Sequence, residues 1–317
     1  MRTDNATTTD VLGTPYTATT FTFAPDREGE VVATLVHRPA PTPTSRAVLY
    51  IHGFCDYFFQ TELAEFYNAR GYDFYALDLR KYGRSLRPGQ TPCDIDDLRT
   101  YYDELDAAWS TIAESHDTIV VSGHSTGGLT TSLWLADRQH PAAALVLNAP
   151  WLDMAGDAFT RHILMPVLRV IGAFAPRRPV PRKVGGFYGK SLHRTYEGEW
   201  EYNLAWKPIT SFPVTAGWAR AILTGHARVR RGLRLPMPVL VLASAASSHP
   251  TSDNDPRIHS TDIVLDVNQI RDRARGLGRD VTVVSVEGAL HDVVLSAPPV
   301  RAQAYTALGD FLGSLTS

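Results

Sequence analysis

The sequence predicts an α/β fold, with a mostly parallel sheet flanked by helices and a helical cap insertion. Short, continuous apolar runs, such as residues 47–51 and 118–122, are typical of strands buried on both faces. Helical segments lie between these runs, and such alternation is typical of a parallel sheet that helices cover on both sides. The 317 residues suffice for one large domain with an insertion, or for two domains.

The strand-like segments follow one another along the whole chain. We expect strands at residues 20–23, 31–37, 47–51, 72–79, 118–122, 143–147, 239–242 and 281–286. The clearest helical segment spans residues 94–112, where Asp94 can cap the N-terminus and Asp97 follows three residues later. One face of this segment is apolar at helical spacing, through Leu98, Tyr102, Leu105, Trp109 and Ile112.

The alternation of strands and helices stops between about residues 151 and 235. This region holds amphipathic helical segments at 159–173 and 215–230, a loop rich in proline and basic residues at 176–189, and an aromatic-rich stretch at 196–206. We therefore expect residues 1–150 and 236–317 to form a core domain, and residues 151–235 to form a helical cap. The cap should lie over the C-terminal edge of the sheet, where open α/β sheets bind ligands.

Composition and charge exclude several classes of protein. The formal net charge of −2 does not favour a nucleic-acid partner. No apolar stretch reaches the roughly 18 residues that a membrane helix needs, and residues 1–10 lack the apolar core of a secretory signal. Cys55 and Cys93 are too few for a disulfide framework, and their spacing suits no metal site. We expect a cytoplasmic protein without a metal or stable membrane insertion; a secreted form without its signal is the alternative.

The segment Gly-His-Ser-Thr-Gly-Gly, residues 123–128, carries the strongest functional motif. It directly follows the predicted strand 118–122 and precedes the helix-like segment 129–136. In a G-x-S-x-G turn the small residues let strand and helix pass closely, while the serine adopts a strained backbone conformation that exposes its hydroxyl. We therefore predict that Ser125 is a nucleophile; a glycine-rich turn without chemistry is the alternative.

A nucleophilic serine needs an adjacent base, which an acid in turn orients. His291 is the candidate base because it follows the last predicted strand, the only histidine to do so. The acid should come soon after strand 239–242, but no carboxylate follows it closely. We favour Asp262, which stands just before an amphipathic helix, where a side chain can turn back to the sheet edge; helix capping is its alternative role. Asp266 and Asp255 are the other candidates.

Two backbone amides are candidates for an oxyanion hole. A predicted strand ends in His52 and Gly53, and the glycine lets the following loop approach Ser125. The Phe54 amide can then pair with the Thr126 amide to hold an oxyanion. Each such donor typically contributes about 3 kcal/mol of transition-state stabilisation. We expect His52 itself to be a hydrogen-bonded structural residue, as buried polar groups normally are.

Four segments resemble, in order, the landmarks of the α/β-hydrolase family. They are residues 51–54, 77–85, 123–127 and 288–291. Within this family the chain is most similar to the serine aminopeptidase-like branch, which contains monoacylglycerol lipases and lysophospholipases. The resemblance spans roughly residues 47–312. It implies a Ser–His–acid triad and no cofactor, but not peptidase activity, since no feature selects the N-terminal amine of a peptide.

The resemblance carries roles onto individual residues of this chain. It implies that Ser125 is the nucleophile, His291 the base and Asp262 the acid. It also implies that the Phe54 and Thr126 amides form the oxyanion hole. The chain departs from the family pattern in the long loop that separates Asp262 from the preceding strand.

The predicted cap is rich in aromatic side chains. Trp151, Trp200 and Trp206 are candidates to contact substrate, because apolar, aromatic-lined pockets suit acyl chains; packing of the cap onto the sheet is their alternative role. We therefore predict a serine hydrolase that cleaves carboxylic esters, monoacylglycerol-like, lysophospholipid-like or other acyl esters, through an acyl-enzyme. The alternatives are an acyltransferase or thioesterase of a biosynthetic pathway, and a non-catalytic ligand-binding protein.

Overall fold

The computed structural model describes residues 7–154, 165–181 and 186–315. The strands are β1 (Thr7–Thr9), β2 (Thr17–Asp26), β3 (Gly29–Arg38), β4 (Arg46–Ile51), β5 (Asp73–Asp78), β6 (Thr118–His124), β7 (Ala144–Asn148), β8 (Pro179–Val180), β9 (Val214–Thr215), β10 (Val239–Ser244) and β11 (Val281–Val286). The α-helices are α1 (Thr61–Asn68), α2 (Tyr102–Ala113), α3 (Thr126–Arg138), α4 (Met165–Phe174), α5 (Phe187–Leu192), α6 (Ala216–Val229), α7 (Val267–Ala274) and α8 (Pro298–Ser314).

The central sheet has the strand order β1-β2-β3-β5-β4-β6-β7-β10-β11. The pairs β1–β2, β2–β3 and β3–β5 are antiparallel, and all pairs from β5 to β11 are parallel. The predicted mostly parallel sheet is therefore confirmed. The parallel register pairs Ile51 with Gly123 and His124 with Asn148. Consequently β4, β6 and β7 end at one edge, and the loops that follow them meet there.

The apolar runs that predicted the strands fill a core on each side of the sheet. In β4, Leu49 and Ile51 join the cluster that includes Leu105 of α2, whereas Val48 and Tyr50 join the cluster that includes Leu308 of α8. A strand covered on both faces needs apolar residues at every position, because successive side chains point to opposite faces. Burial of each such side chain contributes roughly 1.5–3 kcal/mol.

The helix predicted at residues 94–112 begins later than expected. A 3₁₀ turn at Leu98–Tyr101 precedes α2, and the Asp97 carboxylate caps that turn by accepting the Arg99 amide at 2.9 Å. Asp94 does not cap a helix; its carboxylate bonds the Arg27 guanidinium and, at 3.3 Å, the Thr215 hydroxyl. The prediction that Asp94 caps this helix was wrong because the sequence alone gives no indication of these distant partners.

Between β7 and β10 the chain leaves the central sheet and forms α4, α5, α6 and the short β8–β9 ladder. Helix α6 matches the segment predicted at 215–230, and the Thr215 hydroxyl caps it by accepting the Trp218 amide at 3.3 Å. Helix α4 matches the end of the segment predicted at 159–173, whose first residues, 159–164, lie outside the described part of the chain. Residues 182–185 of the predicted loop also lie outside it.

Helix α4 packs closely against α6. A Cβ on Gly172 would lie 2.4 Å from the Ala216 carbonyl oxygen, so a glycine is needed at this crossing. Across residues 7–154, 165–181 and 186–315, no helix combines the length and the apolar character needed to cross a membrane.

Candidate active site

Ser125 occupies the turn between β6 and α3 in a strained conformation, with φ 52° and ψ −116°. The two glycines of the motif make this turn possible. A Cβ on Gly127 would lie 2.3 Å from the His52 carbonyl oxygen, and one on Gly123 would lie 2.7 Å from Thr131 Oγ1. Such a non-glycine conformation costs on the order of 1–3 kcal/mol and persists only where the surroundings enforce it. In this turn the packing of β4 against β6 and α3 holds Ser125 at the sheet edge.

His291 lies in the loop after β11 and contacts Ser125. Its Nε2 is 3.0 Å from Ser125 Oγ, and its Nδ1 is 2.8 Å from Asp262 Oδ2. Because a carboxylate only accepts hydrogen bonds, Nδ1 carries the proton and Nε2 is left to accept the serine hydroxyl. All three side chains are buried. The structure thus brings Ser125, His291 and Asp262 together in one hydrogen-bonded chain.

Asp262 reaches this position because the chain after β10 returns to the sheet edge. The Asp262 amide donates to the Ala246 carbonyl at 2.9 Å, and the Ser248 amide donates to the Asp262 carbonyl at 3.1 Å. The carboxylate is also held locally, since Oδ1 accepts the amides of Val264 and Leu265, both at 2.8 Å. These bonds leave Oδ2 directed at His291.

The other two acidic candidates have different partners. The Asp266 carboxylate accepts the Asn268 amide at 2.9 Å and caps α7. The Asp255 carboxylate accepts the Arg257 amide at 3.0 Å and pairs with its guanidinium. The capping role considered for Asp262 therefore belongs to Asp266.

The Phe54 and Thr126 amides flank Ser125. Thr126 is the first residue of α3, and Phe54 follows Gly53, whose added Cβ would lie 3.1 Å from the Ser125 Cβ. Within the described residues neither amide donates a hydrogen bond to another group. Both residues line the cavity beside Ser125. His52 is fixed at both ring nitrogens, because Nδ1 contacts the Gly53 carbonyl at 2.8 Å and Nε2 accepts the Leu79 amide at 3.1 Å.

A second buried polar network supports the loop that carries His291. The Asp292 carboxylate accepts hydrogen bonds from Asn148 Nδ2 at 2.6 Å and from Gln60 Nε2 at 3.3 Å. The Asp292 amide donates to the Tyr188 hydroxyl at 3.1 Å. Burial lowers the pKa of the neighbouring His124, so this ring is neutral near pH 7. The network anchors the residue next to His291 on three sides.

A cavity of about 230 Å³ opens beside Ser125 and His291. Its wall comes from the loop after β4, from α5 with the residues that follow it, and from residues 263–265. Ligand pockets for drug-sized molecules are typically about 300–1,000 Å³, so this cavity suits a compact ligand. Among the described residues no group of three or more potential ligand side chains is placed to hold a metal ion.

The three tryptophans predicted to contact substrate differ in their positions. Trp151 lines the cavity, whereas Trp200 and Trp206 are not among its lining residues. The Trp200 indole N–H donates to the Leu295 carbonyl at 2.8 Å, and Trp206 packs edge-on against Tyr57, with ring centroids 5.1 Å apart. Trp200 and Trp206 thus attach the region before β9 to the core, as amphipathic rings commonly do.

Two charged residues of the cavity wall, Asp56 and Lys207, were not predicted from the sequence. Asp56 lies only two residues after Phe54, and Lys207 is an isolated cation next to an aromatic-rich stretch. Both features were visible in the sequence. Their approach to each other could not be predicted, because it depends on contacts between residues 151 positions apart.

A strained serine turn on a mostly parallel sheet, with aspartate and histidine following in that order, defines the class of α/β-hydrolases. The chain belongs to the serine aminopeptidase, S33, family, whose family model matches residues 42–298. The resemblance predicted from the sequence is therefore confirmed. A comparison with curated protein sequences gave no significant match.

Solved structures of similar fold include lipases and an esterase. A monoacylglycerol lipase from Paleococcus ferrophilus is 19% identical over 89% of this chain and 99% of its own, with a TM-score of 0.65. A soluble variant of monoglyceride lipase from Saccharomyces cerevisiae, in complex with a substrate analogue, is 14% identical over 94% and 95%, with a TM-score of 0.70. A carboxyl esterase from Bacillus coagulans, in complex with glycerol, is 12% identical over 95% and 99%, with a TM-score of 0.67. At these identities the likeness establishes the shared fold.

Proposed function

We propose that the protein is a serine hydrolase that cleaves carboxylic esters through an acyl-enzyme. The observation that carries this proposal is the hydrogen-bonded chain from Ser125 Oγ through His291 to Asp262, which opens onto a cavity. The Phe54 and Thr126 amides line the same cavity and donate to no other group in the described part of the chain, which adds support. Membership of the serine aminopeptidase, S33, family and the likeness to lipases and an esterase favour the same reaction.

In the proposed reaction Ser125 Oγ attacks the acyl carbonyl carbon while His291 Nε2 accepts the hydroxyl proton. The Phe54 and Thr126 amides donate hydrogen bonds to the oxyanion that forms. When this intermediate collapses, His291 donates the proton to the oxygen of the leaving alcohol. A water molecule, deprotonated by His291, then attacks the acyl-enzyme and releases the acid and Ser125. Throughout, Asp262 holds the His291 tautomer and stabilises the imidazolium.

We further propose that residues 151–235 act as a cap that shapes the substrate site. Part of the cavity wall comes from Gly186, Phe187, Tyr188 and Gly189. The cavity volume favours compact or medium-length acyl esters over long-chain monoacylglycerols or lysophospholipids. The proposed partner is thus a small-molecule ester.

The direct test uses a fluorophosphonate probe, which labels activated serines, together with p-nitrophenyl esters of graded acyl length. We expect the wild type to be labelled and to turn over short and medium esters. Ser125→Ala should abolish both activities, whereas Ser110→Ala, a hydroxyl on the exposed face of α2, should preserve them. A folded wild type that is neither labelled nor active would overturn the proposal in favour of a ligand-binding role. Transfer of the acyl group to an added alcohol or amine, instead of its release by water, would identify an acyltransferase.

A further inference from the structure

A buried ion pair forms part of the cavity wall. Lys207 Nζ lies 2.9 Å from Asp56 Oδ1, and both side chains are buried. Asp56 belongs to the loop that carries Phe54, and Lys207 comes from the region between β7 and β10. Both residues line the cavity that contains Ser125.

Both partners of this pair are charged near neutral pH. Burial tends to lower the pKa of Lys207, but the Asp56 carboxylate outweighs this effect and raises that pKa above its ordinary value. Burial tends to raise the pKa of Asp56, but Lys207 holds it below its ordinary value. The ammonium is also surrounded by aromatic rings, since Nζ lies 5.8, 5.9 and 5.7 Å from the ring centroids of Phe59, Tyr188 and Tyr202.

The pair retains unused hydrogen-bonding capacity. Within the described residues Lys207 donates only to Asp56, and Asp56 accepts only from Lys207. An ammonium has three donors, and a carboxylate accepts at two oxygens. Buried ion pairs are often no more stable than an apolar pair of the same size, so stability alone does not explain this one. Its position in the wall of a ligand cavity indicates a role in recognition.

We propose that Lys207 and Asp56 form a polar subsite that binds a neutral hydroxyl group of the ester substrate. Lys207 Nζ donates to the hydroxyl oxygen, and the hydroxyl proton is donated to the Asp56 carboxylate. This inference rests on the proposed ester hydrolysis and specifies its substrate class.

A hydroxyl fits this pair better than the other common groups. An alkyl group would cover the pair without replacing the hydrogen bonds that the charges lose with water. A substrate carboxylate at Lys207 would lie beside the Asp56 carboxylate and be repelled by it. A hydroxyl both donates and accepts, so it satisfies the cation and the anion together.

The wild-type test compares five esters of similar size. Butyl butanoate is the reference. 3-Hydroxypropyl butanoate replaces the terminal methyl of the alcohol with a hydroxyl, and butyl 3-hydroxypropanoate makes the same replacement in the acyl group. Monobutyl succinate supplies an anion in the acyl group, and 4-(butanoyloxy)butanoate supplies one in the alcohol. We expect one hydroxylated ester to exceed the reference in kcat/KM by about ten- to hundredfold, the range for a hydrogen bond to a charged group. The better ester tells on which side of the ester bond the subsite lies, and the anionic ester with its carboxylate on that side should be the poorest substrate.

Two variants distinguish recognition from a structural role. In Asp56→Asn, Lys207 keeps a hydrogen-bond acceptor but loses its counter-charge, so kcat/KM for the anionic ester with its carboxylate on the side of the subsite should rise at least about tenfold relative to the reference. In the double variant Asp56→Asn, Lys207→Met, neither position of the pair carries a charge, and the preference for the hydroxylated ester should largely disappear. The matched control is Asp253→Asn, Lys190→Met, which removes an exposed pair of the same type, 2.8 Å apart and outside the cavity lining. It should keep the wild-type preferences.

The outcomes separate the two proposals. A wild type that hydrolyses esters but does not distinguish the hydroxylated esters from butyl butanoate overturns the subsite and leaves ester hydrolysis intact. Unchanged selectivity in Asp56→Asn also overturns it. A folded wild type that is inactive on every ester and is not labelled by a fluorophosphonate probe contradicts ester hydrolysis itself.

Discussion

Asp262 shows how the role of a single residue depends on the path of the chain. It lies far beyond the end of β10, yet the backbone bonds to Ala246 and Ser248 return it to the edge where β10 ends. The sequence favoured Asp262 over Asp266 only through its position before a helix and a family resemblance. The hydrogen bonds to the Val264 and Leu265 amides, which fix the carboxylate, are local and do not depend on substrate.

The proposed acid can be tested by an isosteric substitution. Asp262→Asn should reduce kcat on a short p-nitrophenyl ester by about 10³–10⁴-fold, because the amide no longer holds the required His291 tautomer. The paired control is Asp266→Asn, which keeps a side-chain oxygen able to cap α7. This control should remain close to wild-type activity. If Asp262→Asn retained most of its kcat with an unchanged circular dichroism spectrum, the role of the acid would have to be reassigned.

At the scale of elements, the local sequence pattern predicted the strands and helices that form mainly through the burial and spacing of nearby residues. The runs that became β4, β6, β7 and β10 were evident because both faces of these strands are buried. The start of α2 was misplaced because Asp94 pairs with a distant arginine. Trp200 and Trp206 were assigned to the substrate pocket for a similar reason: an aromatic-rich stretch looks the same whether it packs on the core or lines a cavity.

Helix α6 carries a buried histidine that should make stability depend on pH. His226 Nε2 donates to the Trp151 carbonyl at 2.9 Å, and Nδ1 is buried with no hydrogen-bond partner among the described residues. Burial lowers the pKa of His226 from 6.5 to about 4. As the pH falls, the unfolded chain therefore binds a proton at His226 near pH 6.5, whereas the folded protein binds it only near pH 4. This contribution to stability is complete above pH 6.5 and is lost as the pH falls towards 4.

We expect the protonation of His226 to remove about 3 kcal/mol from the free energy of unfolding between pH 7 and pH 4. His226→Gln keeps a donor for the Trp151 carbonyl but does not titrate, so its unfolding free energy should fall less over this range. His259→Gln, a substitution on the surface, should follow the wild type. Urea unfolding at several pH values measures all three proteins. Parallel curves for His226→Gln and the wild type would rule out this histidine as the cause.

At the scale of the whole molecule, buried charges join parts of the chain that are distant in sequence. The Arg84 guanidinium bonds Asp10 at 2.6 and 2.8 Å, Asp78 at 2.9 Å and the Phe58 carbonyl at 2.9 Å. It thus links the segment after β1 to the end of β5 and to the loop after β4. Like the Lys207–Asp56 pair, this cluster could not be predicted from the sequence, because charge pairing over such separations follows from the fold.

Two arginine substitutions should differ strongly in their effect on the free energy of unfolding. The Arg84 side chain is only 6% exposed, so Arg84→Met leaves buried carboxylates unpaired and should lower the free energy of unfolding by about 3–5 kcal/mol. Arg99 also pairs with a carboxylate, that of Asp97, but its side chain is 73% exposed. Arg99→Met should therefore change the free energy by less than about 1 kcal/mol. Guanidinium unfolding at pH 7 compares the two variants with the wild type. Equal losses would mean that burial does not set the strength of these ion pairs, and that the buried Arg84 cluster stabilises the fold no more than an exposed pair does.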